Sequence, residues 1–273
     1  MDPAQTDAYL DRLAVARPLR PTLGALRELH VAHLRAVPFE NLSVHLGEEI
    51  VLEERRLVDK LVRARRGGFC YELNGAFGAL LGALGYGVTL LAARVYGEEG
   101  AVGIPYDHMA LAVTTADGSE WLADVGFGSH SRLPLELGAR GEQQDPAGVF
   151  RVAGAGGPED DLDVLRDGQR VYRLERRPRV LADFVTGAWW HSTSPRSHFA
   201  QSTVCSRLTG DGGRITLSGR VLKSTGADGR REERELGTDE EVLAVYRERF
   251  GIALDRVPEV GGHGAVADNG PRE

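Results

Sequence analysis

The segment RGGFCYELNGAF places Cys70 just after Gly67-Gly68 and at the head of an apolar run of helical character. Unpaired backbone N–H groups and the helix dipole at such a position favour a negative charge, which is what a nucleophilic thiolate needs. Taken alone, a lone cysteine is equally well read as a small buried hydrophobe. A thiolate nucleophile also requires a base, usually histidine, and that imidazole requires an acid or amide to fix its tautomer. Of the eight histidines, His108 opens a strand-like run in PYDHMALAV, and Asp124 follows in the next such run, WLADVGFG. One β-layer can present both toward Cys70. The plainer readings are a solvated edge-strand histidine and a carboxylate that ends a strand before the turn Gly126-Phe127-Gly128.

Spacing alone does not assemble these three residues. An ideal two-residue hairpin at Asp117-Gly118 sets Asp124 opposite Leu111 and turns His108 to the other face of the sheet. A bulge, a longer loop or another register is required.

The elements that must hold them are legible in outline. Residues 1–86 read mainly as helix. Thr22 caps a helix with Leu23, Leu26, Leu29 and Leu34 at near-helical spacing, ended by Pro38. The run EERRLVDKLVRARR sets Leu57, Val58, Leu61 and Val62 on one face and stops at Gly67-Gly68. The helix beginning near Cys70 extends to Gly85. From Val88 the pattern turns to strands, in VTLLAARVY, HMALAVTT, EWLADVGF, VFRVAG, RVYRLER and RITLSGRVL. A small antiparallel barrel or sandwich follows from these. Thr238 and Glu241 mark a capping box for a last helix, with Val242, Leu243, Tyr246 and Phe250 as its apolar stripe and Gly251 as its stop. The tail beyond Val260 reads as disordered.

Composition narrows the function classes. The chain has 273 residues, 40 acidic against 33 basic, and a formal charge of -7. The basic residues are scattered, which argues against nucleic acid as a partner. No apolar run approaches the roughly 20 residues a bilayer demands, and the acidic, amphipathic N-terminus is unlike a signal peptide. A cytoplasmic protein is expected. Cys70 and Cys205 are the only cysteines, so neither a disulfide framework nor a structural zinc is expected. His30 and His33, three apart on a helix, read as a polar edge and not as a metal site, and Cys205 reads as a strand thiol without a base.

RGGFCYELN, DHMALAV, WLADVGFG and the earlier AVPFENLSVHLG resemble the arylamine N-acetyltransferase family in order and separation. STSPRSHF and LAVYRERFGIAL are similar to family features as well. The resemblance spans most of the chain and is weakest over 138–185. It implies an α+β fold: an N-terminal helical bundle over 1–86 carrying the cysteine, a central antiparallel β-barrel over 87–190 carrying the histidine and aspartate, and a C-terminal α/β lid over 191–273. It also implies that Cys70 is the acyl carrier, His108 its base and Asp124 the orienting residue. Acetyl would come from acetyl-CoA, as a substrate and not a bound cofactor, and pass to an arylamine, hydrazine or N-hydroxyarylamine. An amide synthase fed by a carrier protein and a cysteine hydrolase remain as alternatives, and a homo-oligomer is left open.

Around that centre, Gly126 and Gly128 would let backbone approach a thioester, or serve merely as turn glycines. By resemblance, Phe127 and Phe199 are candidates for an apolar wall against the acceptor, with plain core packing as the other reading of each. Arg66 and Glu40 are a candidate buried ion pair beneath the nucleophile, or two solvated surface charges. Two departures stand out: Asp107 occupies a position where the family often has a small hydroxyl residue, and Gly187-Ala188-Trp189-Trp190-His191 replaces an Asn-Trp-Tyr-like segment. The carboxylate of Asp107 would stand near the incoming donor, and the tryptophans would pack in the core or reshape the acceptor pocket.

Overall fold

The computed structural model describes residues 1–156 and 160–261; the tail read as disordered lies, from 262 on, outside the described residues. Asp2 caps α1 (Pro3–Leu13), accepting the Gln5 N–H. The Thr22 hydroxyl caps α2 (Leu23–Ala36), which stops at Val37, ahead of Pro38. The two-residue β1 (Phe39–Glu40) and α3 (Leu42–Leu46) follow. The amphipathic run then forms α4 (Glu54–Val58), continued by a π-type turn through Arg63, with Leu57, Val58 and Leu61 buried. Helix α5 (Cys70–Ala83) is buried on nearly every side, as its scarcity of charged residues requires.

Strands β2 (Gly87–Val95), β3 (His108–Thr114), β4 (Glu120–Ala123), β5 (Leu135–Glu136), β6 (Glu142–Asp145), β7 (Gly148–Gly154), β8 (Leu162–Arg166) and β9 (Gln169–Arg179) form one eight-stranded antiparallel sheet in the order β5-β4-β3-β2-β9-β8-β7-β6. The sheet curls into a nearly closed barrel. The Gln143 side chain donates to the Glu136 carbonyl at 3.0 Å and accepts its N–H at 2.7 Å, bridging the free edges. Side chains alternate across the strands. Ala93, Ala110, Leu122, Phe150, Val152, Val164, Tyr172 and Leu174 fill the interior, while Ala92, Met109, Leu111, Val113 and Ala123 face Leu73, Phe77 and Leu80 of α5.

After the barrel come α6 (Val185–Thr193), α7 (His198–Gln201), β10 (Val204–Leu208), β11 (Arg214–Ser218), β12 (Val221–Thr225), β13 (Arg231–Glu235) and α8 (Asp239–Val245). The last helix continues through a π-type turn to Phe250 and closes at Gly251, whose φ of 72° is left-handed. The sheet β1-β10-β11-β12-β13 joins the N-terminal segment to the C-terminal one, through Phe39 opposite Ser206 and Glu40 opposite Cys205. Leu42, Cys205, Leu217, Leu222, Val242, Tyr246 and Phe250 make its core. The architecture is α+β, with a barrel between two helix-bearing ends. One detail differs from the sequence reading. Thr238 accepts the Glu241 N–H, but the Glu241 carboxylate returns to Gly237 N at 2.7 Å and not to the cap residue, so half of the capping box forms.

Candidate active site

The hairpin between β3 and β4 resolves the register difficulty. Thr115 N–H donates to the Ser119 carbonyl at 3.0 Å, which leaves a three-residue loop, Ala116-Asp117-Gly118, with Gly118 at φ 84°. Asp117 accepts from Thr115 Oγ1 at 2.6 Å and from Ser119 N at 3.1 Å, bracing the turn. Leu111 then pairs with Ala123, and Asp124, one residue on, falls opposite Ala110. His108 and Ala110 share a face, so Asp124 does too.

At that end of the barrel the His108 Nε2–H donates to Asp124 Oδ2 at 2.8 Å, both side chains being almost fully buried. Cys70, the first residue of α5, lies at the same end, 4% exposed. With Nε2 committed to Asp124, Nδ1 is the ring nitrogen left for the sulfur. Burial disfavours the imidazolium, but the Asp124 charge and hydrogen bond, followed by interaction with the Cys70 side chain, outweigh it and push His108 up to about 10. Burial likewise opposes the Asp124 carboxylate, and the His108 charge and hydrogen bond hold it well below the usual carboxylate range. Asp124 Oδ1 accepts from Asn74 Nδ2 at 2.9 Å and from Gly126 N at 3.0 Å.

Asn74 went unread in the sequence although its signal was there: it stands four residues after Cys70 in CYELN, on the same face of α5. Its Oδ1 also accepts the Val125 N–H at 2.9 Å. The backbone of Gly126 lies against α5 so closely that a Cβ would stand 2.8 Å from Cys70 Cα and 2.7 Å from Asn74 Nδ2. Its missing side chain thus admits the first turns of α5. Gly128, at φ 83°, approaches the Phe39 ring.

Phe127 packs edge-on against His108 with ring centroids 5.1 Å apart, and against His130 and Tyr172. Phe199 contacts Phe39, Phe69 and His191 instead. Phe127 and Phe199 are therefore set among different neighbours. Just ahead of Cys70 in the chain, Arg66 Nε donates to Glu40 Oε1 at 3.0 Å in a buried pair, and Gly67 N reaches the same oxygen at 3.2 Å. That anchors the chain just before Cys70.

Two expectations change, for the histidine pair and for Trp189, and Asp107 gains partners that the sequence did not show. His30 and His33 are wholly buried and not a polar edge; His33 Nε2 meets the Tyr9 hydroxyl at 2.9 Å. Asp107 is tied down sideways: Oδ2 accepts the Val95 N–H at 3.1 Å and Oδ1 lies 3.0 Å from His191 Nε2. Of the two tryptophans, Trp189 is 64% exposed and so is not core.

Comparison with known proteins places the whole chain. A family model described as N-acetyltransferase matches residues 22–259. An arylamine N-acetyltransferase / N-hydroxyarylamine O-acetyltransferase of Salmonella typhimurium is 40% identical over 218 residues, 77% of this chain and 75% of that protein. The chain belongs to the arylamine N-acetyltransferase family. Among solved family structures, the enzyme from Salmonella typhimurium superposes with a TM-score of 0.85 at 34% identity, covering 97% of this chain and 95% of that one. The Mycobacterium marinum arylamine N-acetyltransferase in complex with CoA gives 0.80 at 34% identity, covering 90% and 92%.

The two thiols should differ sharply in reactivity. Cys205 is fully buried in β10, and burial, followed by the Glu40 charge, pushes its thiol far up. Cys70 has a helix N-terminus and an imidazole beside it. Under native conditions at neutral pH, iodoacetamide should alkylate Cys70 faster than Cys205 by at least about a hundredfold. Peptide mapping over time reads both rates, and equal labelling would deny Cys70 any activation.

Proposed function

We propose that this chain moves acetyl from acetyl-CoA to an arylamine, an arylhydrazine or an N-hydroxyarylamine through a thioester on Cys70. In this reading His108 is the base and Asp124 its orienting partner. The 2.8 Å bond from His108 Nε2 to Asp124 at the N-terminus of α5 is the observation that supports it most. The Cys70 thiolate adds to the acetyl carbonyl carbon, the C–S bond to CoA breaks, and CoA leaves with the proton held on His108 Nδ1. The amine then attacks the acetyl-Cys70 carbon, and its proton passes to Nδ1 as the thiolate is released. One acetyl moves, no redox change occurs, and each step needs the same nitrogen.

Family membership and the CoA-bound relative support the choice of donor. The half-buried rings of Phe127, packed against His108, and Phe199 suit an aromatic acceptor. The direct test is release of free CoA from acetyl-CoA over a panel of arylamines and hydrazines. Release that depends on the arylamine is expected. Equal release without any amine would instead mark a hydrolase, and acylation only from a carrier-bound chain would mark an amide synthase.

A further inference from the structure

The backbone N–H of Asp124 lies one residue past the end of β4, beyond the last paired residue of the ladder. It needs a partner, because a buried unpaired N–H is costly. The partner comes from a distant helix: His30 of α2 accepts that N–H on Nε2 at 3.2 Å. The other ring nitrogen, Nδ1, donates to the Arg132 carbonyl at 2.9 Å. An imidazole that accepts on one nitrogen and donates from the other is neutral and confined to one tautomer.

The surroundings reinforce that state. His30 is fully buried, and burial outweighs the nearby Asp124 and Asp145 carboxylates to lower its affinity for a proton. The loop it grips is rigidly held: Asp145 accepts from Arg132 N at 2.9 Å and from Leu133 N at 2.8 Å. Phe77 meets the His30 ring edge-on, with centroids 6.2 Å apart.

We infer that His30 is a positioning residue, whose Nε2 fixes the Asp124 backbone so that the carboxylate stays aimed at His108. This role rests on the assignment of Asp124 to the Cys70 centre proposed above. The carboxylate has three bonds of its own, to His108, Asn74 and Gly126, but those bonds orient only the end of the side chain. Its root is held on the Val125 N–H by Asn74 and on its own N–H by His30, which ties it to α2 and, through Arg132, to the segment ahead of β5.

Two substitutions separate the two bonds. In His30→Asn the amide nitrogen can replace Nδ1 and keep the bond to Arg132, but nothing replaces Nε2. In His30→Gln the longer side chain brings its oxygen to the Nε2 position and loses the Arg132 bond instead. Single-turnover acetylation of Cys70 should slow about ten-fold in His30→Asn and stay within about two-fold of wild type in His30→Gln. The downfield Nε2 proton of His108 should broaden or shift in the asparagine variant alone. Equal slowing in both variants, in step with their melting temperatures, would reduce His30 to a structural residue and overturn the inference; so would wild-type kinetics in His30→Asn. Nitrogen-15 shifts of the wild-type protein give a check that needs no variant: His30 should be neutral with its proton on Nδ1, and an Nε2–H tautomer or an imidazolium at neutral pH would overturn the inference. If wild-type Cys70 took up no acetyl, the proposed reaction would fail, and the His108 proton and the His30 tautomer would still decide the positioning role.

Discussion

Replacing Cys70 by Ser should remove the acetyl adduct and nearly all turnover while leaving the fold intact. The side chain sits at the first position of α5, where Ser is as acceptable as Cys and the lost volume is small. The chemistry is not conserved. A serine hydroxyl near neutral pH offers almost no alkoxide, and exchange of an acyl group from a thioester is best matched by another sulfur. In the wild-type protein, incubation with acetyl-CoA and no amine should leave one acetyl on Cys70, visible by intact-mass and peptide spectrometry. In the proposed sequence CoA leaves before the amine attacks, so double-reciprocal plots at several fixed arylamine concentrations should be parallel. In Cys70→Ser the adduct should be absent and kcat should fall by at least about a thousandfold. Intersecting lines with an unmodified Cys70 would mean direct transfer in a ternary complex.

How far the sequence foretold this centre depends on the range of the interactions. Cys70 and its helix are local features: glycines, an apolar run and a helix start lie within a dozen residues, so the helix start was legible from pattern, while the chemistry left Cys70 evenly poised between nucleophile and buried hydrophobe until the family resemblance was added. His108 and Asp124 were legible as residue types and as strand positions, but their meeting turned on one residue of loop length. Thr115-Ala116-Asp117-Gly118-Ser119 satisfies either a two-residue or a three-residue hairpin by composition. The longer one is supported by the bonds that the Thr115 hydroxyl and the Ser119 N–H donate to the Asp117 carboxylate, and by the Ala116 N–H, which donates to the Pro21 carbonyl at 2.8 Å. That last contact comes from the helical segment, and local turn preferences do not encode it.

The partners that hold the centre were less legible still. His30 is 94 residues from Asp124 in sequence. Asp107 and His191 are brought together only by packing of α6 on the start of β3. Gly187 permits that packing, since a Cβ there would stand 2.5 Å from the Tyr106 carbonyl oxygen. The short strands β5, β6 and β13 escaped the pattern for a different reason. They are rich in polar residues, and β13, Arg231–Glu235, is exposed along its whole length, so no alternation of apolar and polar residues marks it.

Asp124→Asn should cost turnover nearly as heavily as losing the nucleophile, and the neighbours of the carboxylate say why. Oδ1 accepts from Asn74 Nδ2 and from Gly126 N. Both are donors, so the amide oxygen of an asparagine must take that position. Its NH2 group is then turned toward His108 Nε2, where Oδ2 now accepts. Two donors cannot face each other at 2.8 Å. His108 would therefore have to leave Nε2 unprotonated and carry its proton on Nδ1, the nitrogen assigned to the sulfur. A histidine in that tautomer cannot take a proton from Cys70, and the imidazolium loses the carboxylate that sustains it. The shape of the site is preserved, so KM for the amine should change little while kcat falls by roughly three to four orders of magnitude. His108 should also lose its elevated affinity for protons, which a titration of its ring carbon proton by NMR would show as a fall from about 10. Asp124→Asn with wild-type acetylation of Cys70 would show that the aspartate holds the barrel end together without orienting the base.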